Sequence, residues 1–169
     1  TVTEVFVPEP YVLTGEHQDI RLNAGDSKSL LFANLEMPSI TVEKYDEETG
    51  EKLPGAQFAI YEQADTARPV VEGITDENGK FTSGYIKPGT YVVKELNPPP
   101  GYMFSDKTSP DRVIVAKPGD GEIIVKVDNI KLPELTIKKI DSVTKEPIPG
   151  VVYEVKEVDD TSVQPTTAT

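Results

Sequence analysis

The chain has 169 residues, 37% hydrophobic and 27% charged, with a formal net charge of −12 and no cysteine. So acidic a surface repels phosphate backbones and anionic lipid, which argues against nucleic-acid and membrane-surface roles. The missing thiols exclude disulfides and thiolate metal sites, and no apolar run approaches membrane-spanning length.

Fifteen prolines and twelve glycines among many Val, Ile, Thr and Tyr favour short strands joined by turns, and no long stretch carries a helical apolar stripe. In chain order, alternation predicts strands at about 39–45, 56–62, 69–74, 80–86, 90–96, 111–117 and 122–130. Asn78-Gly79, between ITDE and KFTSGY, is a two-residue hairpin signal. KPGT at 87–90 and PGDG at 118–121 mark further turns. Short strands in this number without a helix predict an all-β antiparallel sandwich of the immunoglobulin or prealbumin kind.

The chain also repeats itself. ITVEKYDEETGEKLPGAQFAIYE (40–62) aligns without a gap on LTIKKIDSVTKEPIPGVVYEVKE (135–157), so that Lys44 falls on Lys139, an offset of 95. The segment 19–41 aligns on 114–136 at the same offset, placing Asn34 on Asn129. Upstream, VTEVFVPEPYVL (2–13) aligns on VKELNPPPGYMF (93–104), placing Glu4 on Glu95. The organisation read from this is a C-terminal half of one repeat at 1–37, a complete repeat at 38–132 and an N-terminal half of a third at 133–169. A period of this length suits small domains in tandem, each with its own core.

Strand parity exposes three misplaced polar residues. Ile40, Val42 and Lys44 share a face; so do Tyr91, Val93 and Glu95, and Val125, Val127 and Asn129. A lysine, a glutamate and an asparagine thus occupy the last inward positions of apolar strands. The pattern recurs with Leu135, Ile137 and Lys139, with Leu30, Phe32 and Asn34, and with Val2 and Glu4. Burial lowers an ammonium pKa and raises a carboxyl pKa, so together the groups are accommodated as neutral amine and neutral acid. A neutral lysine is a nucleophile, a carboxamide an electrophile, and a protonated carboxyl carries protons to departing ammonia. The product would be a Lys–Asn isopeptide bond. Two other readings stand beside this one: a lysine near a strand end that snorkels to water, and a buried polar cluster without chemistry.

The strand ending EKYD, LPGAQFAIYE, TDENGKF, KPGTYVVKE, PPPGY and VKVDNIK, in this order and spacing, resemble the collagen-adhesin B-type repeat of Gram-positive surface adhesins and pilins. The resemblance implies a prealbumin-like Greek-key sandwich and a cell-surface or cell-wall location. It also implies a cross-link between Lys44 and Asn129 with Glu95 as catalytic proton shuttle. Lys139, Asn34 and Glu4 would be the equivalents in the partial copies. The implied function is a stalk or spacer module whose partners are neighbouring repeats of the same polypeptide. It would use no cofactor or metal and would be no enzyme beyond one self-directed turnover. The alternative is an adhesive module that binds a host matrix protein or glycan through its loops.

The end segments are expected to be pieces of flanking copies in a longer array. A second arrangement packs one molecule's tail on the next molecule's head, bringing Lys139 to Asn34 and Glu4, and leaves the equivalents of residues 75–91 unsupplied. Of the remaining signals, the acidic run Asp46, Glu47, Glu48 and Glu51 is read as a solvated turn. His17, the only histidine, leaves no His-based triad. Tyr102, Met103 and Phe104 are read as a connection covering one end of the sandwich. LPELT at 132–136 is read as linker plus first strand rather than a sorting signal.

Overall fold

A computed structural model describes residues 1–105 and 111–155. Its ten strands are β1 (Val2–Thr3), β2 (His17–Gln18), β3 (Ser39–Asp46), β4 (Gln57–Glu62), β5 (Asp65–Ile74), β6 (Lys80–Tyr85), β7 (Gly89–Asn97), β8 (Tyr102–Phe104), β9 (Asp111–Ala116) and β10 (Glu122–Lys131). Among the described residues there is no helix. The chain divides into two units between Leu132 and Pro133.

The first unit is built on two four-stranded sheets, ordered β6-β3-β10-β8 and β5-β4-β7-β9. Between them lie Ile40, Val42, Phe58, Ile60, Val93, Val125 and Val127, all buried. These are the alternate positions of their strands, as a period of two requires when one face is buried. The expected all-antiparallel sandwich is corrected at one place: β10 runs parallel to β3, from Glu122 beside Ser39 to Asn129 beside Asp46. A parallel neighbour needs a long crossover, and here the rest of the domain supplies it.

Asn78-Gly79 does make a tight turn, with Gly79 N–H donating to Asp76 O at 2.9 Å, but it does not close the expected hairpin. β5 pairs with β4 in one sheet and β6 with β3 in the other, so the turn carries the chain across the sandwich. Tyr102–Phe104, read as a connection, forms a short edge strand against Asn129–Lys131. Asp46, read as solvated, is buried and organises its turn by accepting the Glu48 and Thr49 N–H groups.

Residues 1–37 repeat features of the complete domain. Tyr11 bridges Glu36 as Tyr102 pairs with Lys131. Met37 N–H donates to Pro10 O as Leu132 N–H does to Gly101 O, and Tyr11 N–H to Pro8 O as Tyr102 N–H does to Pro99 O. The second unit does the same for the start of the domain. Ile148 N–H donates to Lys139 O as Leu53 N–H does to Lys44 O, and the turn at Asp141 copies that at Asp46. The strand expected from residue 135 does not form, however; only an isolated bridge joins Ile140 to Pro147. β3 is held on both sides, by β10 and β6, whereas residues 135–141 have no such neighbours among the described residues. Leu135, Ile137 and Lys139 are accordingly exposed rather than inward.

Candidate functional site: a buried lysine, glutamate and asparagine

Lys44 and Asn129 are both at 0% exposure. Snorkelling is therefore overturned: the amine lies in the core, following Ile40 and Val42 on the inward face of β3. The parallel register sets Lys44 beside Val127 and puts Asn129 two residues on, level with Asp46. Diagonal neighbours on one face lie within reach of a long side chain. Glu95 enters from the opposite sheet, on β7, so the three residues span the sandwich.

Lys44 Nζ donates to Val127 O at 3.2 Å and stands 3.7 Å from Glu95 Oε1, whose side chain is 4% exposed. Asn129 Nδ2 donates to Glu95 Oε2 at 3.2 Å. One carboxyl thus faces both the amine and the amide nitrogen. Glu95 Oε1 and Asn129 Oδ1 are buried without a hydrogen-bond partner, an uncommon and costly condition in a native core.

Burial pulls the Lys44 ammonium down to about 8, against the charges of Glu95 and Asp128. Burial likewise pushes the Glu95 carboxyl up, and the charge of Lys44 partly offsets it. Both shifts favour the neutral forms, because an ion in a dry interior loses its hydration. The ion pair and the neutral amine–acid pair carry the same number of protons. Interconverting them is therefore an internal proton transfer rather than a titration.

Three supporting contacts were not apparent from the sequence. Lys44 N–H donates to Gly79 O at 2.8 Å, so the Asp76–Lys80 turn grips β3 at the buried lysine. Gly79 has φ +65, and a Cβ there would lie 2.9 Å from Lys44 O. The Asn-Gly dipeptide signalled a positive φ, but nothing local signalled the contact. At the other end Tyr102 OH donates to Asp46 Oδ2 at 3.0 Å and Glu47 N–H donates to Asn129 O at 2.9 Å, which fixes the backbone that carries the carboxamide. Tyr102 itself is half-buried, and Met103 and Phe104 are exposed.

The equivalent residues fare differently. Asn34 Nδ2 donates to Glu4 Oε1 at 2.8 Å, reproducing the Asn129–Glu95 contact, while Lys139 lies exposed in the second unit. Among the described residues no group of His, Asp and Glu could hold a metal ion, and no helix is long and apolar enough to cross a membrane.

The chain is similar to a solved structure of the Bacillus anthracis TIE protein at 29% identity and TM-score 0.52, covering 76% of this chain and 24% of that one. It also matches the group B streptococcus pilus 2b backbone protein (24% identity, TM-score 0.47, 59% and 43% of the two chains). A third match is the full-length major pilin SpaD from Corynebacterium diphtheriae (21% identity, TM-score 0.46, 59% and 33%). The chain therefore spans less than half the length of each. No curated protein matches it significantly in sequence. The family model described as the SpaA prealbumin-like fold domain matches residues 38–131, the span that carries both four-stranded sheets and Lys44, Glu95 and Asn129. The chain belongs to the family of SpaA prealbumin-like fold domains.

Proposed function

We propose that residues 38–132 form a load-bearing spacer module of a Gram-positive cell-surface adhesin or pilus, locked by a self-made bond between Lys44 and Asn129. One observation carries this reading: a single carboxyl faces both the amine and the carboxamide nitrogen, and all three side chains are buried. The neutral amine of Lys44 attacks Cγ of Asn129 and forms the new C–N bond, with the neutral Glu95 carboxyl set against both the amine and Nδ2. Glu95 then relays a proton from the attacking nitrogen to Nδ2, which leaves as ammonia. Holding the groups on packed strands supplies effective molarities of about 10⁵–10⁸ M, worth roughly 7–11 kcal/mol of barrier. The reaction consumes its own site and turns over once.

The mechanical role follows from topology. Tension entering at Ser39 and leaving at Lys131 pulls the parallel β3 and β10 in opposite directions along their length. With the bond in place the load runs along β3 to Lys44, crosses to Asn129 and leaves. Everything from residue 45 to residue 128 is bypassed. Tandem placement of such modules, with 1–37 and 133–169 as parts of neighbouring copies, is supported by the hydrogen bonds they share with the central domain.

Intact mass tests the chemistry. The folded chain should lack one ammonia, and Lys44→Ala, Asn129→Ala and Glu95→Ala should each restore the full mass. A well-packed domain of unreduced mass would leave a buried polar cluster and no lock.

A further inference from the structure

The sheet order places β10 between β3 and β8, so Asn129 has a neighbour on each side: Asp46 on β3 and Phe104 on β8. Asp46 lies two residues beyond Lys44, on the same inward face, and is 4% exposed. Its Oδ1 accepts the Glu48 and Thr49 N–H groups at 2.8 and 2.9 Å. Its Oδ2 accepts the Tyr102 hydroxyl at 3.0 Å. Tyr102 belongs to β8 and pairs with Lys131. β3 and β8 are two strand spacings apart, about 10 Å, so this one hydrogen bond spans the width of β10. It runs from the level of Asn129, where Asp46 sits, to that of Lys131, where Tyr102 sits. Two side chains thus form a strap just past the carboxamide.

The turn after β3 does not need the strap. Oδ1 alone organises it, and the copy of that turn at Asp141 uses the same oxygen on the Val143 and Thr144 N–H groups. Both strap residues also keep their spacing to the site through the repeats. Lys44-x-Asp46 recurs as Lys139-x-Asp141, and Tyr102 follows Glu95 by the same seven residues as Tyr11 follows Glu4. The hydrogen bond to Asp46 pushes the Tyr102 phenol up, while backbone N–H groups, that of Thr49 first, pull the Asp46 carboxyl down. Near neutrality a protonated donor therefore meets a charged acceptor, the stronger kind of hydrogen bond.

We propose that Asp46 and Tyr102 are positioning residues for the Lys44–Asn129 bond, their hydrogen bond tying β10 to the strands on either side and confining the Asn129 carboxamide to the Lys44 end of its strand. The carboxamide needs such a restraint. Its contact with Glu95 holds Nδ2 alone, and Oδ1 is buried without a hydrogen-bond partner, so one bond by itself leaves the amide plane free to turn about Nδ2. Glu47 N–H on Asn129 O fixes the backbone but not the side chain. The strap closes the remaining direction, away from Lys44. Neither strap residue exchanges a proton with the reacting atoms. They act by keeping amine and Cγ within reach, where a misplacement of about 1 Å costs on the order of 100-fold in rate. This inference rests on the isopeptide chemistry proposed for Lys44 and Asn129.

The test uses the whole chain, kept in denaturant from synthesis so that no bond has formed and then diluted into buffer. Circular dichroism follows folding and intact mass follows the loss of ammonia. Tyr102→Phe removes one hydroxyl and keeps the ring, so it should fold as the parent does yet lose ammonia about tenfold more slowly or worse. Asp46→Ala should be slow in the same way. Asp46→Asn should stay close to the parent, because its carbonyl oxygen still accepts the turn N–H groups and its Nδ2 donates to the Tyr102 oxygen. Hydrogen exchange of the same substitutions in a Lys44→Met background, where no bond forms, gives the unfolded fraction of each. A slowing no larger than that fraction explains would make the strap merely structural and overturn the inference. Tyr102→Phe losing ammonia at the parent's rate would also overturn it and leave the central bond standing. A parent that folds and keeps its full mass would overturn both.

Discussion

Replacing Lys44 by Met removes the nucleophile while keeping a similar unbranched chain in the core, so the measured loss is chiefly that of the cross-link. The proposed bond would close the chain between residues 44 and 129. For a loop of this length the chain-entropy model gives about 4.5 kcal/mol of stabilisation. For a domain of 60–100 residues each kcal/mol moves Tm by about 4–8 °C, so Lys44→Met should melt about 20 °C or more below the linked chain. Scanning calorimetry gives the two midpoints, and intact mass establishes that the parent lacks one ammonia and the variant does not. Two midpoints within a few degrees, with the parent shown to be linked, would refute the loop-closure reasoning. The bond would then add little to a fold already held by its ladders.

Four further outcomes follow from the site. Glu95→Gln should abolish the bond yet leave a folded domain, because the carboxamide keeps a hydrogen-bonding partner for Asn129; circular dichroism with intact mass checks both. For the unlinked chain refolded across a pH series, the rate of bond formation should be flat near neutrality and fall above about 8, where the pair loses a proton and Glu95 is ionised beside a neutral Lys44. It should fall again in acid, where both groups hold protons, and a rate that keeps rising above 8 would show that no acid is needed. Gly79→Ala should cost about 1–3 kcal/mol and slow the bond, since its Cβ would press on Lys44 O; denaturant melts and mass kinetics measure the two. On the outer face of β3, Glu43 is held down at about 2, first by the Tyr45 hydrogen bond and then by Lys80. That contribution is complete above the ordinary carboxyl value of 4.5 and disappears as pH falls toward 2. Glu43→Gln should therefore flatten this part of the acid-unfolding curve.

Glu43 also marks a limit of strand parity. The alternation that put Lys44 inward puts Glu43 outward, and it is outward, yet only 7% exposed. Lys80 lies 3.0 Å from its carboxylate, Lys52 lies 3.8 Å away, and the Tyr45 hydroxyl donates to it. Parity reports which face a side chain is on and is blind to what neighbouring strands lay over that face. The Asn78-Gly79 turn failed in the same way: a dipeptide sets local backbone angles, while the choice of sheet for the following strand depends on which partner has an unpaired edge.

The inward faces, the alignment of 40–62 on 135–157 and the residue types at 44, 95 and 129 were all legible in the sequence. Period-two alternation and internal similarity are properties of the chain alone, and they fixed which side chains would share the core. The tertiary structure decided how they meet. Only the parallel pairing of β3 with β10 brings residue 44 diagonal to 129, and only packing of the second sheet carries Glu95 to both. It also decided that 135–141 forms no strand beyond the isolated bridge of Ile140 to Pro147. A strand's backbone groups need partners on neighbouring strands, and no residue pattern within one segment can provide them.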